Sequence, residues 1–184
     1  PILGDIRDKT LLQRVFSSFN PDVVFHAAAY KHVPMQEDHP WEAILTNIQG
    51  TLNLIDVSEE YNVNRFVLVS TDKAVNPTNI MGATKRVAEK LIQSKSIDSN
   101  VKFMAVRFGN VIGSSGSVIP TFQEQIRNGG PITITNPNMQ RYFMSISEAA
   151  QLILQAGAMG AGGEIYVLDM GKPVNIQNIA YELI

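Results

Sequence analysis

The apolar residues of this chain follow two alternating patterns, and each pattern predicts one kind of secondary structure. Stretches in which apolar residues recur three and four positions apart indicate amphipathic helices, and short continuous apolar runs between them indicate buried strands. The helical stretches cover residues 8–19, 41–61, 81–97, 119–128, 147–158 and 176–184. The strand-like runs cover residues 22–28, 65–70, 101–107, 132–135 and 165–168.

The buried faces of the first two helices and one helix cap follow from the same patterns. The first helix is expected to bury Leu11, Leu12, Val15, Phe16 and Phe19. The second is expected to bury Ile44, Leu45, Ile48, Leu52 and Ile55. Ser147 is expected to cap the helix that runs to Ala158, because a serine side chain accepts a hydrogen bond from a first helical turn.

Strands and helices take turns along the chain, and this order predicts an α/β fold. A strand–helix–strand rhythm produces a parallel sheet with right-handed crossovers. The first three strands are followed by small or polar residues, at His26–Ala29, Ser70–Lys73 and Arg107–Asn110. Ligands of open α/β sheets bind beyond the carboxyl ends of the strands. We therefore expect these three strand ends to outline one site.

Composition narrows the possible functions. The chain has 184 residues, 45% apolar and 17% charged, which is typical of a soluble globular domain. A net charge of −2 argues against a nucleic-acid surface, and the absence of cysteine excludes disulfides and thiolate chemistry. The histidines and carboxylates show no metal-ligand spacing. Because the chain lacks an initiator Met and stops inside a predicted helix, we expect it to be part of a longer protein.

A hydroxyl, a carboxylate and an amine lie together at the end of the second strand, as Thr71, Asp72 and Lys73. The next helix opens with Met81 and Lys85, which are four residues apart and so share a face. An acid, a base and a fixed cation can together move a proton and stabilise a developing oxyanion. Asp72 and Lys73 alone would more often be a solvated ion pair, but with their neighbours they predict catalysis.

Several ordered motifs carry a resemblance to a known family. They are Ser-Thr-Asp-Lys-Ala at residues 70–74, Met-Gly-Ala-Thr-Lys-Arg at 81–86, the stretch 107–120, and Gln-Arg-Tyr-Phe-Met-Ser at 140–145. The chain resembles bacterial polysaccharide-biosynthesis nucleotide-sugar 4,6-dehydratases of the extended short-chain dehydrogenase/reductase superfamily. The resemblance implies a Rossmann-like doubly wound sheet, with its first strands and glycine loop upstream. Residues 1–113 would then complete an NAD-binding domain, and 114–184 would form an interleaved substrate-binding lobe.

Met81 stands where that superfamily usually has its catalytic tyrosine. A subset of the 4,6-dehydratases is similar to this sequence in having Met there, so the departure favours a dehydratase over a nucleotide-sugar epimerase of the same fold. Loss of the tyrosine also fits an inactive dinucleotide-binding regulator. The acid–base pair Asp72–Lys73 argues against that second alternative, since a pure binding module does not need it.

The resemblance implies a reaction on a UDP-N-acetylhexosamine without net redox change. NAD would take a hydride from C4 of the sugar, while the 4-hydroxyl proton moves toward Thr71 and Asp72. Lys73 would remove the C5 proton, Asp72 would protonate the leaving 6-hydroxyl, and the hydride would return to C6. A proton would then return to C5, and the face it reaches sets the configuration there. The Met-bearing subset usually retains the configuration at C5, and retention is our expectation here.

Further residues are assigned to the cofactor by the same resemblance. Asp5 and Ile6 would contact the adenine, although Asp5 alone could instead cap the first helix. The expected dinucleotide contacts from the later segments are Ala27, Ala28, Ala29, Asn47 and Lys85, with Asn47 also supporting the catalytic strand and Lys85 on the nicotinamide ribose. NAD is the implied cofactor, and NADP stays open because the discriminating residue lies upstream.

The substrate side is assigned in the same way. Arg141 would clamp a phosphate, because guanidinium pairs bidentately with phosphate oxygens. The other expected substrate contacts are Lys31, His32, Asn110, Val118, Ile119, Pro120, Phe122 and Glu148. Gly113–Ser117 is a flexible turn that either links two elements or lines the substrate. The implied partners are a UDP-sugar and further copies of the chain, in the cytoplasm, with membrane contact only through segments outside this sequence.

Overall fold

The computed structural model describes residues 1–114 and 116–184, and it has the predicted α/β fold with a parallel sheet. The helices are α1 Lys9–Phe19, α2 Val33–Asp38, α3 Pro40–Ala43, α4 Thr51–Glu60, α5 Ile80–Lys95, α6 Val118–Arg127, α7 Ile146–Met159 and α8 Ile176–Leu183. The strands are β1 Val23–His26, β2 Arg65–Thr71, β3 Lys102–Phe108, β4 Asn110–Val111, β5 Gln140–Arg141, β6 Phe143–Met144, β7 Ile165–Val167 and β8 Val174–Asn175.

The chain divides into two compact units. The first comprises Pro1–Arg107 and Ile153–Val167, and the second comprises Phe108–Leu152 and Leu168–Ile184. The first unit holds the main sheet, in the order β1-β2-β3-β7, with β1 parallel to β2 and β3 parallel to β7. The second holds two small sheets, a parallel pair β4-β6 and an antiparallel pair β5-β8.

The core of the first unit lies where the sheet packs against α1, α4 and α5. Phe66 and Phe103 from neighbouring strands are fully buried, with ring centroids 5.4 Å apart. Leu12 and Phe16 of α1 join them, as predicted. Phe19 was predicted to be buried as well, but it is 68% exposed, because it is the last residue of α1. Asp8 caps this helix by accepting a hydrogen bond from Leu11 N–H at 2.9 Å.

The predicted helix over residues 41–61 is interrupted by a π-helical segment, Ile44–Gly50, between α3 and α4. A π-helix has more residues per turn than an α-helix, so the segment rotates the faces on either side of it. The predicted apolar stripe is consequently wrong at Leu45, which is 42% exposed. The buried positions here are small or polar instead, namely Thr46, Asn47, Gly50 and Thr51.

Two predictions for the second unit are wrong. Residues 132–135 form no strand, because the backbone N–H of Thr133 donates to the Gln125 side chain of α6 at 3.0 Å. Ser147 does not cap α7. The cap is Ser145, whose hydroxyl accepts from Glu148 N–H at 3.1 Å while the Glu148 carboxylate accepts from Ser145 N–H at 2.8 Å. This reciprocal pair is a capping box, and its Ser-x-x-Glu spacing is present in the sequence.

Candidate active site

Three predicted catalytic residues form a hydrogen-bonded cluster where β2 ends. The backbone leaves β2 at Thr71 and enters a single 3₁₀ turn, Asp72–Ala74, which Thr71 caps. The Thr71 hydroxyl donates to Asp72 Oδ1 at 2.9 Å, and the Lys73 ammonium donates to the same oxygen at 3.0 Å. Both ends of the Asp72–Lys73 ion pair are partly exposed. A hydroxyl, a carboxylate and an ammonium therefore meet at one oxygen that a ligand can reach.

A glycine allows α5 to pack directly on this turn. Asn79 caps the helix by accepting from Gly82 N–H at 2.8 Å. A Cβ atom at Gly82 would lie 2.5 Å from the carbonyl oxygen of Lys73, well inside van der Waals contact. Because the obstacle is backbone, no side-chain rotation can relieve it. The start of α5 and the turn that carries Lys73 are thus held together at a distance that only glycine permits.

This contact predicts a specific effect of Gly82→Ala. The new methyl group should displace the Lys73 backbone, destabilise the fold by about 2 kcal/mol and lower turnover by about tenfold or more. Thermal unfolding and steady-state kinetics of the full-length protein measure both effects. Ala83→Gly is the matched control, since Ala83 is the exposed neighbour and its loss of helix propensity should cost about 1 kcal/mol without changing turnover. Equal turnover in the two variants would contradict the contact's importance.

Met81 and Lys85 occupy the buried face of α5, as their four-residue spacing predicts. Their exposed fractions are 5% and 7%. Burial lowers the pKa of Lys85 from 10.5 to about 8, and the negative charge of Glu89 acts in the opposite direction. Within the described residues the Lys85 ammonium has no ion pair, and no hydrogen bond joins it to Thr71, Asp72 or Lys73. The convergence of Lys85 with those three residues therefore stays a prediction.

Glu89, which no sequence motif singled out, connects α5 to the ends of two strands. Its side chain has no exposed surface. Its carboxylate accepts hydrogen bonds from the Ser70 hydroxyl at 2.7 Å and from Arg107 Nε at 2.7 Å. Burial alone would raise the pKa of Glu89, but the hydrogen bonds from Arg107 and Ser70 outweigh it and keep this pKa below its ordinary value. The available signal was the spacing, since Glu89 lies one turn beyond Lys85 on the same face.

A second buried polar chain begins at the end of β1. The Thr51 hydroxyl donates to the Asn47 carbonyl at 2.7 Å, so His26 Nε2 must carry the proton in its own 2.8 Å hydrogen bond to Thr51. His26 Nδ1 is then a bare acceptor, buried and without a partner among the described residues. Burial, followed by the positive charge of Lys85, lowers the pKa of His26 to about 3. His26 is consequently neutral throughout the physiological range.

Asn47 is buried and its amide is fully engaged. Its Oδ1 accepts from Tyr30 N–H at 2.8 Å, and its Nδ2 lies 3.1 Å from Tyr30 O, 3.1 Å from Gln36 Oε1 and 3.0 Å from Thr84 Oγ1. These bonds hold the loop after β1 and the helix α5, so the predicted support of the catalytic strand and the predicted dinucleotide contact of Asn47 stay predictions. The side chain acts on the site through those two elements.

Asn47→Ala should consequently be strongly destabilising. It leaves Tyr30 N–H without its acceptor, and it leaves the buried Gln36 side chain and the buried Thr84 hydroxyl without their donor, which should cost about 2–4 kcal/mol. Urea unfolding of the full-length protein measures the change. Asn64→Ala removes one exposed hydrogen bond, to Asp22, and should cost less than about 0.5 kcal/mol. A loss no greater at Asn47 than at Asn64 would refute the structural role.

The remaining predicted residues of the first unit lie at the start of the chain and after β1. Ala27 and Ala28 are exposed at the carboxyl end of β1. Lys31 and His32 line a cavity of about 380 Å³, together with Tyr30, Met35, Gln36, His39 and Glu42.

Asp5 does not cap α1. Its carboxylate binds Arg7, and the hydrogen bonds from the Arg7 side chain and backbone lower the pKa of Asp5. Ile6 packs against the core, and a Cβ at Gly50 would lie 2.6 Å from its side chain. The predicted adenine contacts of Asp5 and Ile6 stay predictions.

The predicted substrate residues of the second unit have distinct local settings. Asn110 is the first residue of β4, Arg141 is half-buried in β5, and Val118, Ile119 and Pro120 open α6, all partly buried. The predicted substrate contact of Phe122 is wrong, because its side chain is 2% exposed in a cluster with Ile176 and Ala180 and cannot wall an open pocket. Glu148 belongs to the capping box of α7, which lowers its pKa through the Ser145 hydrogen bonds. Of the turn Gly113–Ser117, Ser115 lies outside the described residues.

Residues 1–114 and 116–184 contain neither a cluster of metal ligands nor a helix suited to span a membrane. No group of three or more histidine, cysteine or acidic side chains in this part of the chain could hold a metal ion. None of the helices described there combines the length and the apolar character that a membrane span needs.

Comparison with known sequences shows the family. The family described as "Polysaccharide biosynthesis protein" matches residues 1–184, and the chain belongs to it. It is 57% identical to the capsular polysaccharide biosynthesis protein CapD of Staphylococcus aureus, over 100% of the chain and 31% of that protein. It is 40% identical to a UDP-N-acetylglucosamine 4,6-dehydratase (inverting) of Campylobacter jejuni, over 98% of the chain and 54% of that protein.

A relative with a different activity is about as similar to the chain as the Campylobacter jejuni dehydratase is. The UDP-glucose 4-epimerase of Rickettsia canadensis is 41% identical over 90% of the chain and 49% of its own length. The chain thus spans about a third to a half of the length of these curated relatives.

Solved structures agree with the fold. Pen from Bacillus thuringiensis superposes with a TM-score of 0.94 at 40% identity, over 100% of the chain and 56% of that structure. The dTDP-glucose 4,6-dehydratase DesIV from Streptomyces venezuelae, solved with NAD bound, superposes with a TM-score of 0.90 at 24% identity, over 98% of the chain and 61% of that structure. The second likeness bears on the fold alone, which is Rossmann-like as predicted.

Proposed function

We propose that the chain carries the catalytic part of an NAD-dependent nucleotide-sugar 4,6-dehydratase, which acts on a UDP-N-acetylhexosamine for surface polysaccharide synthesis. The observation that carries the proposal is the cluster in which Thr71 and Lys73 both donate to Asp72 Oδ1. Dehydration needs a base at C5 and an acid at the 6-hydroxyl, and this cluster contains one candidate for each role.

The Asp72–Lys73 hydrogen bond explains how both roles can arise together. The pair holds one proton that can sit on either partner. Its movement from the Lys73 ammonium to the Asp72 carboxylate across 3.0 Å leaves a neutral amine and a neutral carboxylic acid. Lys73 can then accept the C5 proton while Asp72 donates to the departing 6-hydroxyl, so that water leaves without net change in charge.

Residues of the first unit fit a dinucleotide. Ala27 and Ala28 are exposed at the carboxyl end of a parallel strand, where short side chains allow close backbone approach. The buried Lys85 ammonium has no ion pair within the described residues, and it suits a ribose hydroxyl. NAD bound there would supply reversible hydride transfer at C4 and C6. The Thr71 hydroxyl would accept the 4-hydroxyl proton and pass its own proton to Asp72 Oδ1, which would release it to solvent before the Lys73 proton moves there. Met81 cannot perform this relay.

The substrate contacts extend this proposal to the second unit. Asn110 and Arg141 would bind the diphosphate, and Val118, Ile119 and Pro120 would wall the uracil. Lys31 and His32 would contact the substrate from the loop after β1. The relative from Campylobacter jejuni supports a UDP-N-acetylglucosamine substrate and is an inverting enzyme, so the configuration at C5 of the product tests our expectation of retention.

Incubation of the full-length protein with UDP-N-acetylglucosamine tests the proposal. We expect a product lighter than the substrate by one water, with a ketone at C4. The second candidate is a UDP-sugar 4-epimerase, which the relative from Rickettsia canadensis favours and Met81 disfavours. It would yield a product of unchanged mass. A folded, NAD-loaded protein that leaves UDP-N-acetylglucosamine unchanged would exclude both activities on this substrate.

A further inference from the structure

Glu89 is the most completely buried ionised group of the site, and none of the proposed chemical steps uses it. A buried carboxylate is costly unless its oxygens are paired and hydrogen-bonded. Here both oxygens are occupied, Oε1 by Ser70 and Arg107 Nε, and Oε2 by Arg107 Nη2 and by Arg86 Nη1 at 3.2 Å. Such full satisfaction fixes the carboxylate, and every group bonded to it, in one arrangement.

The partners of Glu89 come from three elements that meet at the site. Ser70 directly precedes Thr71 at the end of β2, and Arg107 lies at the end of β3. Glu89 itself lies on α5, one helical turn beyond Lys85. One carboxylate therefore ties the strand that carries the Thr71–Asp72–Lys73 cluster to the helix that carries the buried ammonium.

We propose that Glu89 is a positioning residue, which holds Thr71 and Lys85 in register for catalysis through its hydrogen bond to Ser70 and its charge beside Lys85. The kinetic part of this inference rests on the proposed function. The electrostatic part does not, because it concerns the ammonium of Lys85 in the protein alone.

Glu89 is the main source of negative charge acting on the Lys85 ammonium. The other charged side chains on the elements packed against α5 either have partners of their own or are exposed. On α2, Glu37 accepts from Ile80 N–H and Asp38 is exposed, and on α3 Glu42 pairs with Arg7. On α4, Asp56 pairs with Lys9, Glu59 pairs with Lys95 and Glu60 accepts from Gln13. Arg65 of β2 donates to the Gly157 carbonyl, Asp72 and Lys73 pair with each other, and His26 at the end of β1 is neutral. Glu89 is the group whose charge raises the pKa of Lys85. Removal of the Glu89 charge should therefore lower the pKa of Lys85.

Ser70→Ala tests the positioning role without removing a charge. It deletes only the bond between β2 and Glu89, so we expect kcat to fall about tenfold, with KM and NAD content little changed. Ser58→Ala is the matched control, since Ser58 is a fully buried serine of α4 whose hydroxyl donates to Leu54 O at 2.7 Å. Equal kcat in the two variants would overturn the positioning role.

Glu89→Gln and Glu89→Asp separate charge from geometry. Titration of ¹³C-labelled Lys85 by NMR should show its midpoint about one pH unit lower in Glu89→Gln, because a charge one turn away is lost. Glu89→Asp keeps the charge but cannot reach Ser70, so the midpoint should stay while kcat falls as in Ser70→Ala. Glu59→Gln, which removes the ion pair with Lys95, should leave the midpoint unchanged.

The outcomes distinguish this inference from the proposed function. A Lys85 midpoint that does not move in Glu89→Gln would refute the electrostatic part, whatever the activity. If Glu89→Gln fails to fold, an unchanged kcat in both Ser70→Ala and Glu89→Asp would refute the positioning role. Absence of product from the wild-type protein, together with the expected shift of the midpoint, would refute the dehydratase and leave the effect of Glu89 on Lys85 established.

Discussion

Replacement of Lys73 by alanine is expected to lower turnover of the full-length protein by about a thousandfold while leaving NAD binding intact. Positioned proton transfer contributes about a hundredfold to ten-thousandfold to a reaction rate. The substitution removes the proposed base and also leaves Asp72 without the partner that supplies its proton. Steady-state kinetics with UDP-N-acetylglucosamine and the absorbance of bound NAD give the two readouts.

Lys90→Ala is the control for this prediction. Lys90 is an exposed lysine of α5 that donates to Gln93, so its loss removes a positive charge from the same region without touching the cluster. Its turnover should match that of the wild type. Turnover retained in Lys73→Ala would remove Lys73 from the mechanism and leave proton abstraction to another group.

Turnover is also expected to fall as the pH rises through about 8, because Lys85 then loses its proton. Burial lowers the pKa of this ammonium from 10.5 to about 8, so its deprotonation falls inside the range in which the protein can be assayed. The proposed role of Lys85 requires its positive charge, and that charge is present below the pKa and absent above it. A pH profile of kcat/KM for the free enzyme measures the effect.

Two variants test whether Lys85 causes this fall in turnover above about pH 8, which is the alkaline limb of the pH profile. Lys85→Met should lower turnover by about a hundredfold below about pH 8 and should show no fall above it, since the charge is absent at every pH. Lys85→Arg should keep part of the activity and lose the limb, because guanidinium stays protonated. His26 cannot cause the limb, because its pKa is lowered to about 3. A wild-type profile that stays flat until the ordinary lysine range would contradict the role of Lys85.

Hydrophobic periodicity predicted most of the fold correctly. The strands over residues 65–70 and 101–107 correspond to β2 and β3, which hold fully buried side chains such as Phe66 and Phe103. The prediction failed where the buried side chains are polar. The π-helical segment Ile44–Gly50 buries Thr46 and Asn47, and a buried face of polar residues cannot be predicted from an apolar stripe. Residues 132–135 have the pattern of a strand, but their backbone bonds to a side chain of α6.

Part of the candidate site was accessible from the sequence, and part was not. Thr71, Asp72 and Lys73 are consecutive, so their proximity follows from the chain itself. The close packing of α5 on their turn depends on Gly82, which has no side chain. The need for glycine at this position becomes evident only when the positions of the helix and the turn are known. Glu89 was missed for a related reason. An acidic residue on an amphipathic helix normally faces solvent, and its burial is compensated by Ser70 and Arg107 from elements far away in sequence.

Solvent and substrate deuterium together test the central claim most directly. The full-length protein would be incubated with UDP-N-acetylglucosamine that carries deuterium at C4, and separately with unlabelled substrate in D₂O. The proposed acid–base cluster predicts a 4-keto-6-deoxy product with the C4 label recovered at C6, and with one solvent deuterium at C5. Recovery of the label at C4 of an unchanged-mass sugar, without solvent deuterium at C5, would contradict dehydration and indicate epimerisation.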